Sequence, residues 1–151
     1  MTASTIATTL IDYFAGDHHD CDEKWARVED LLDKGDNAAI KTAWQDFDQT
    51  TRRHLAKEEE VLFPAFEASS GMGQSGPTVV MRMEHEQMRA LLDQIGFNIE
   101  EGDTDEALDL GDTLHLLIQQ HNVKEEGMLY PMAENILAGE WAGIRQKLEA
   151  Y

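Results

Sequence analysis

The chain has 151 residues, with 30 acids against 12 bases and a net charge of −18. A surface of that sign repels phosphate backbones and anionic bilayers, which argues against nucleic acid or a membrane as partner. The length fits one domain, residues 1–151, able to bury a core without staples.

A single cysteine, Cys21, rules out an intramolecular disulfide and suits a reducing compartment. The first ten residues offer neither a basic leader nor a long apolar run, and no stretch approaches a membrane span. The expectation is a cytoplasmic protein.

Apolar residues recur at spacings of three and four, not two, which predicts an all-α chain. The first helix carries Phe14, His18, Cys21, Trp25, Val28 and Leu32 on one stripe and stops at Lys34-Gly35-Asp36. Gly16-Asp17 marks either a break in it or its start. The second helix runs over about 37–68, with Ile40, Trp44, Phe47, Thr51, His54, Glu58, Leu62 and Ala65 aligned, and Pro64 bends or closes it. Ser69–Gly76 is a glycine-serine loop, and Pro77 suits the first turn of a third helix.

That helix aligns Met81, His85, Met88, Leu92, Ile95 and Ile99 and ends at Glu101-Gly102-Asp103. A fourth, over about 104–137, aligns Leu110, Leu114, Leu117, His121, Glu125 and Met128. A short amphipathic helix, flanked by Gly139 and Gly143, occupies the tail 138–151. The methionines read as core filler, and Trp141 as a residue that pins the tail.

The chain repeats itself. His54-Leu-Ala-Lys-Glu58-Glu-Glu-Val-Leu62-Phe-Pro64 returns as His121-Asn-Val-Lys-Glu125-Glu-Gly-Met-Leu129-Tyr-Pro131, a shift of 67 positions without a gap. The same shift lays Gly35-Asp36 on Gly102-Asp103 and His18 on His85, each of these histidines following an acid (Asp17, Glu84). Two such helical hairpins predict an antiparallel up-down-up-down four-helix bundle over about 10–137.

Residues four apart project from one helix face, so each second helix presents a His/Glu pair and each first helix one histidine. His19 lies about 100° around the helix from His18, off the apolar stripe. His115 falls on Asp48 and has no histidine counterpart. Both are left outside the site.

Burying imidazoles and carboxylates together needs a cation to offset them. Four histidines and two glutamates exceed one tetrahedral zinc site. Two ions, each with two histidines and sharing Glu58 and Glu125, use the set symmetrically, and the ligand types suit iron, with manganese or zinc as lesser choices.

Ferritin-type Glu-x-x-His pairs are absent. The zinc-protease pattern fails because Arg89 stands where His85-Glu86 would need a second histidine. Arg89 reads as the partner of a metal carboxylate or bound anion, or as a surface ion pair. Cys21 reads as a small core residue or a side chain beside the metal. Tyr130 and Phe63 occupy equivalent places and are assigned to packing at the bundle end in preference to redox tyrosine chemistry, and Lys57 and Lys124 to offsetting neighbouring acids.

The acid-preceded His18, His54-x-x-x-Glu58, Glu84-His85-Glu-Gln-Met-Arg89 and His121-x-x-x-Glu125 resemble the haemerythrin-like (HHE cation-binding) domain over nearly the whole chain. The resemblance implies a non-haem di-iron centre, oxo- or hydroxo-bridged. It also implies functions such as oxygen binding, sensing, nitric-oxide or peroxide chemistry, iron-sulfur-centre repair and iron sensing.

Oxygen-carrying members have a further histidine where Arg89 stands, and an aspartate five residues after the last histidine, where Glu126 stands. The repeat favours Glu125 over Glu126 as the bridging group. One histidine fewer leaves an iron more open to outside ligands, which argues against a simple oxygen carrier. The expected ligands are O2, NO or peroxide. The alternative is a non-catalytic iron sensor, store or donor whose fold depends on the metal, and a structural bundle with incidental zinc is a weaker third.

Overall fold

The structure, a computed structural model, describes residues 8–73 and 75–151. Most of the N-terminal stretch read for a leader lies outside the described residues, as does Gln74 of the glycine-serine loop. Every regular element among the described residues is helical, and no helix among them is long and apolar enough to cross a membrane.

The first helix, α1 (Leu10–Lys34), starts where the Thr9 hydroxyl accepts from the Asp12 N–H at 3.0 Å. It runs unbroken through Gly16, because the stripe of Leu10, Phe14 and His18 is buried continuously across it. Gly35, at φ 79°, ends it in the left-handed region that glycine adopts without strain. Asp36 then caps α2 (Asn37–Lys57) by accepting from the Ala39 N–H. Gly102 and Asp103 repeat the device between α4 (Pro77–Glu100) and α5 (Thr104–Lys124).

After α2 and α5 the helix widens rather than stopping. Glu58–Leu62 and Glu125–Leu129 are π-helical turns, with the Phe63 N–H reaching back to the Glu58 carbonyl and the Tyr130 N–H to that of Glu125. The cause lies in Pro64 and Pro131. Proline has no N–H, and its ring crowds the carbonyl four residues back, so the wider turn before it relieves the clash. Helicity then resumes as α3 (Phe63–Ser70) and α6 (Tyr130–Ile136). Single π turns of this kind recur at functional sites, and both begin on a glutamate of the repeated motif.

Helix α1 packs on α2 and α4 on α5, and the pairs meet through α1 against α5 and α6 and through α2 against α4. Two apolar cores result. One is built from Trp25, Val28, Phe47, Leu92, Ile95 and Leu114 among others, and the second from Phe14, Leu62, Phe66, Leu129 and Ala133 with their neighbours. Helix α7 (Trp141–Leu148) adds Ile144 and Leu148 to the second core. Trp141 ties this tail down, its indole N–H donating to the Thr8 carbonyl at 2.7 Å. Gly143 lies inside this helix rather than at its edge.

The fourth stripe needs correcting. Its buried positions are Ala107, Gly111, Leu114, Ile118, His121, Asn122, Glu125 and Leu129, while Met128 is exposed and Leu110 and Leu117 lie at the core's margin. Gly111 is inward because a Cβ there would stand 2.2 Å from the Trp25 ring. A glycine carries no hydrophobic signal, so the periodicity locked onto the leucines beside it. Met83 is likewise on the surface, not in the core.

Candidate metal site

Between the two cores lies a layer that is not apolar. His18 on α1, His54 on α2, His85 on α4, His121 on α5, and Glu58 and Glu125 at the starts of the two π turns are all 5 % exposed or less. His19 sits outside this layer, in a surface pair with Glu23 at 2.7 Å.

Each of the four rings is held from outside through Nδ1. The outer Nδ1 of His18 meets Glu126 at 2.6 Å, that of His54 meets Asp17 at 3.1 Å, that of His85 meets Glu59 at 2.7 Å, and that of His121 meets Glu84 at 2.8 Å. A carboxylate only accepts, so each Nδ1 carries the proton and each Nε2 keeps a lone pair directed inward. This partnership fixes tautomer and ring orientation in metal-binding histidines generally.

Inside, Nε2 atoms face carboxylate oxygens. His54 and His85 lie 3.3 and 3.1 Å from Glu58 Oε1, His18 lies 3.0 Å from Glu125 Oε1, and His121 lies 3.1 Å from Glu125 Oε2. Five of these atoms, the Nε2 of His54, His85 and His121 with Glu58 Oε1 and Glu125 Oε2, have no hydrogen-bond partner.

An unsatisfied buried polar atom costs about 1–3 kcal/mol, so five would rival the whole stability of a domain, about 5–15 kcal/mol. Buried lone pairs converging in this way favour a cation among them. The spacing agrees, since ligand atoms about 2.1 Å from one ion and at right angles stand about 3 Å apart. Two sets form, His18/His54/Glu58/Glu125 and Glu58/His85/His121/Glu125, with the ligand atoms of each within 4.8 Å of one another.

The electrostatics point the same way. Burial opposes charge on His54, but Glu58 and Asp17 outweigh it and lift its pKa well above the usual histidine range. Burial likewise opposes charge on Glu58, yet His54 and His85 hold it well below the carboxylate range. The layer attracts positive charge.

A family profile, Hemerythrin HHE cation binding domain, matches residues 9–133. The chain belongs to this family. No curated protein and no solved structure matches it. HHE domains bind cations, and the two ligand sets fit that chemistry.

Several residues of this HHE domain act on the layer from outside. Lys57 donates to Asp17 at 3.2 Å, and Lys124 donates to Glu84. The lysine of the repeated motif therefore holds the acid that holds the neighbouring histidine. Arg89 points away from the layer and donates to Glu59 at 2.7 Å. Burial works against charge on Glu59, but His85 and Arg89 together bring its pKa down to about 2.

Glu125 is fully buried at the centre, and Glu126 stands outside, against His18. Cys21 belongs to the apolar core, where burial pushes its thiol up. His115 makes no part of either ligand set.

The sequence reading missed the four orienting acids, although the signal was present. Asp17 and Glu84 stand before matched histidines, and Glu59 and Glu126 are the matched second glutamates of Lys-Glu-Glu.

Tyr130 is the larger correction. Assigned to packing at the bundle end, its hydroxyl instead lies 2.5 Å from Glu58 Oε2, 2.9 Å from Glu125 Oε1 and 3.1 Å from His18 Nε2. Burial and the two carboxylates raise its pKa well above the usual phenol value, so it stays protonated. Its repeat counterpart Phe63 stacks on His85 at 5.5 Å much as Tyr130 stacks on His18 at 5.6 Å.

Proposed function

We propose that this chain is a cytoplasmic non-haem di-iron protein that binds or reacts with O2, NO or peroxide. Its single domain is read as an antiparallel up-down-up-down four-helix bundle. The observation that carries this reading is the convergence of five buried, unpartnered lone-pair atoms between two sealed apolar cores.

His18 and His54 would hold one ion, His85 and His121 the other, and Glu58 and Glu125 both. Bound iron supplies Lewis acidity and reducing electrons to a small ligand. The chain supplies the setting. Asp17, Glu59, Glu84 and Glu126 keep the Nδ1 protons outward, so every Nε2 presents a lone pair. The apolar cores above and below exclude bulk water, which strengthens each electrostatic contact inside. Arg89, turned toward Glu59, adds no ligand to the second set, so that ion has fewer protein ligands than a further histidine would give it.

The second reading, an iron sensor or donor whose fold depends on the metal, is favoured by the same layer, because removing the ions leaves buried imidazoles and carboxylates that only bound protons can offset.

Anaerobic reconstitution should load about two irons per chain, and His19→Ala and His115→Ala should load equally. Fewer than one iron per chain would sink both readings. Absorption spectra of the reduced protein mixed with O2, peroxide or NO then separate them. A ligand-dependent spectrum or turnover supports the first, and an unchanged spectrum with metal-dependent melting supports the second.

A further inference from the structure

The 67-residue repeat pairs the site's groups almost without exception: His18 with His85, His54 with His121, Glu58 with Glu125, Asp17 with Glu84, Glu59 with Glu126, and Lys57 with Lys124. Within the buried layer the pairing breaks at one atom that touches the carboxylates. Tyr130 and Phe63 stack on equivalent histidines in equivalent ways, and only Tyr130 carries a hydroxyl.

Packing does not require that hydroxyl, because phenylalanine does the same packing in the other half. A phenol buried beside two carboxylates is tolerated only if its O–H is used. Its proton can go to one acceptor at a time. Glu58 Oε2 at 2.5 Å and Glu125 Oε1 at 2.9 Å compete for it, while the histidine N–H groups all face outward. A small anion entering the layer would thus meet lone pairs on the imidazoles and carboxylates, and one movable donor.

We infer that Tyr130 is the ligand-binding hydrogen-bond donor of this site, turning its O–H from the bridging glutamates to a small anionic or peroxidic ligand. A hydrogen bond to a charged group is stronger than a neutral one, so the residue favours ligands that gain negative charge on binding over neutral ones. The inference rests on the di-iron reading, and its test is built to fail separately.

Azide serves as the probe, being a small anion that does not turn over. The oxidised, iron-loaded protein is titrated with it by absorption, wild type beside Tyr130→Phe, with iron content measured for both. The expected result is unchanged iron with azide binding weakened about tenfold or more. In the wild type, the vibrational band of bound azide should also shift on transfer to D2O, a measurement that needs no variant.

Equal azide affinity in both proteins, or no isotope shift, would overturn the assignment and leave the di-iron reading standing. Loss of iron from Tyr130→Phe would also overturn it, making the hydroxyl a clamp on Glu58 and Glu125 instead. A wild type that takes up no iron would overturn both.

Discussion

Each imidazole in the buried layer does two jobs, one per nitrogen, and the outer job decides the inner one. With a carboxylate on Nδ1, the proton cannot migrate to Nε2, and the inward lone pair is kept. Asp17 and Glu84 are each further held by a lysine, so charge and orientation are both fixed. Replacing either by its amide keeps the shape but removes the charge, and the amide can present N–H where an acceptor is needed. Asp17→Asn and Glu84→Gln should each lower metal affinity about 10- to 100-fold, read by competition with a chelator. Glu126→Gln, at a more exposed carboxylate with 44 % of its side chain open to solvent, should cost less. Equal losses at all three would mean that burial does not govern the effect.

At the scale of elements, the site depends on how the helices approach one another. The repeat has Trp44 in α2 where α5 has Gly111, and Gly111 is the gap that receives the Trp25 ring from α1. A methyl at 111 must displace a buried, rigid indole, because its nearest neighbours are ring atoms at 2.2 and 2.6 Å. Overpacking of this kind costs about 1–3 kcal/mol. Gly111→Ala should therefore lower the urea midpoint of unfolding while metal content stays at the wild-type value. A variant as stable as the wild type would show that α1 and α5 can separate freely. The π turns act at the same scale, since each reshapes its helix at the residue that carries the central glutamate.

Across the whole molecule, stability and metal occupancy become one quantity. The two apolar cores join through a layer of buried imidazoles and carboxylates, in which protons on His54 and His85 must stand in for any absent ion. Binding to the folded state alone adds about 4 kcal/mol at a thousandfold excess over Kd. This predicts a loss that grows with metal. Glu58→Gln removes a fully buried carboxylate that His54 and His85 hold in its charged form, so the metal-free variant should melt below the metal-free wild type. The metal-loaded variant should fall further below its own wild type, because a residue common to both candidate ligand sets is lost as well. Calorimetry of the four samples checks this. Equal destabilisation with and without metal would mean that Glu58 matters through its bond to Tyr130 rather than through an ion.

The sequence by itself determined the helical class, the helix ends at Gly35 and Gly102, and the six inward residues, because these rest on local periodicity and on a repeat that needs no third dimension. It also held the positions of the orienting acids, but not their partners. Glu59 reaches His85 and Glu126 reaches His18 across helix pairs, and only packing decides which helices are neighbours. Tyr130 was misread for the same reason. One turn beyond Glu125 it looks like the end of the bundle, until the π turn before Pro131 and the docking of α6 on α1 bring its hydroxyl over Glu58. Spacing along the chain chose which residues face inward, and tertiary packing chose what each of them meets there.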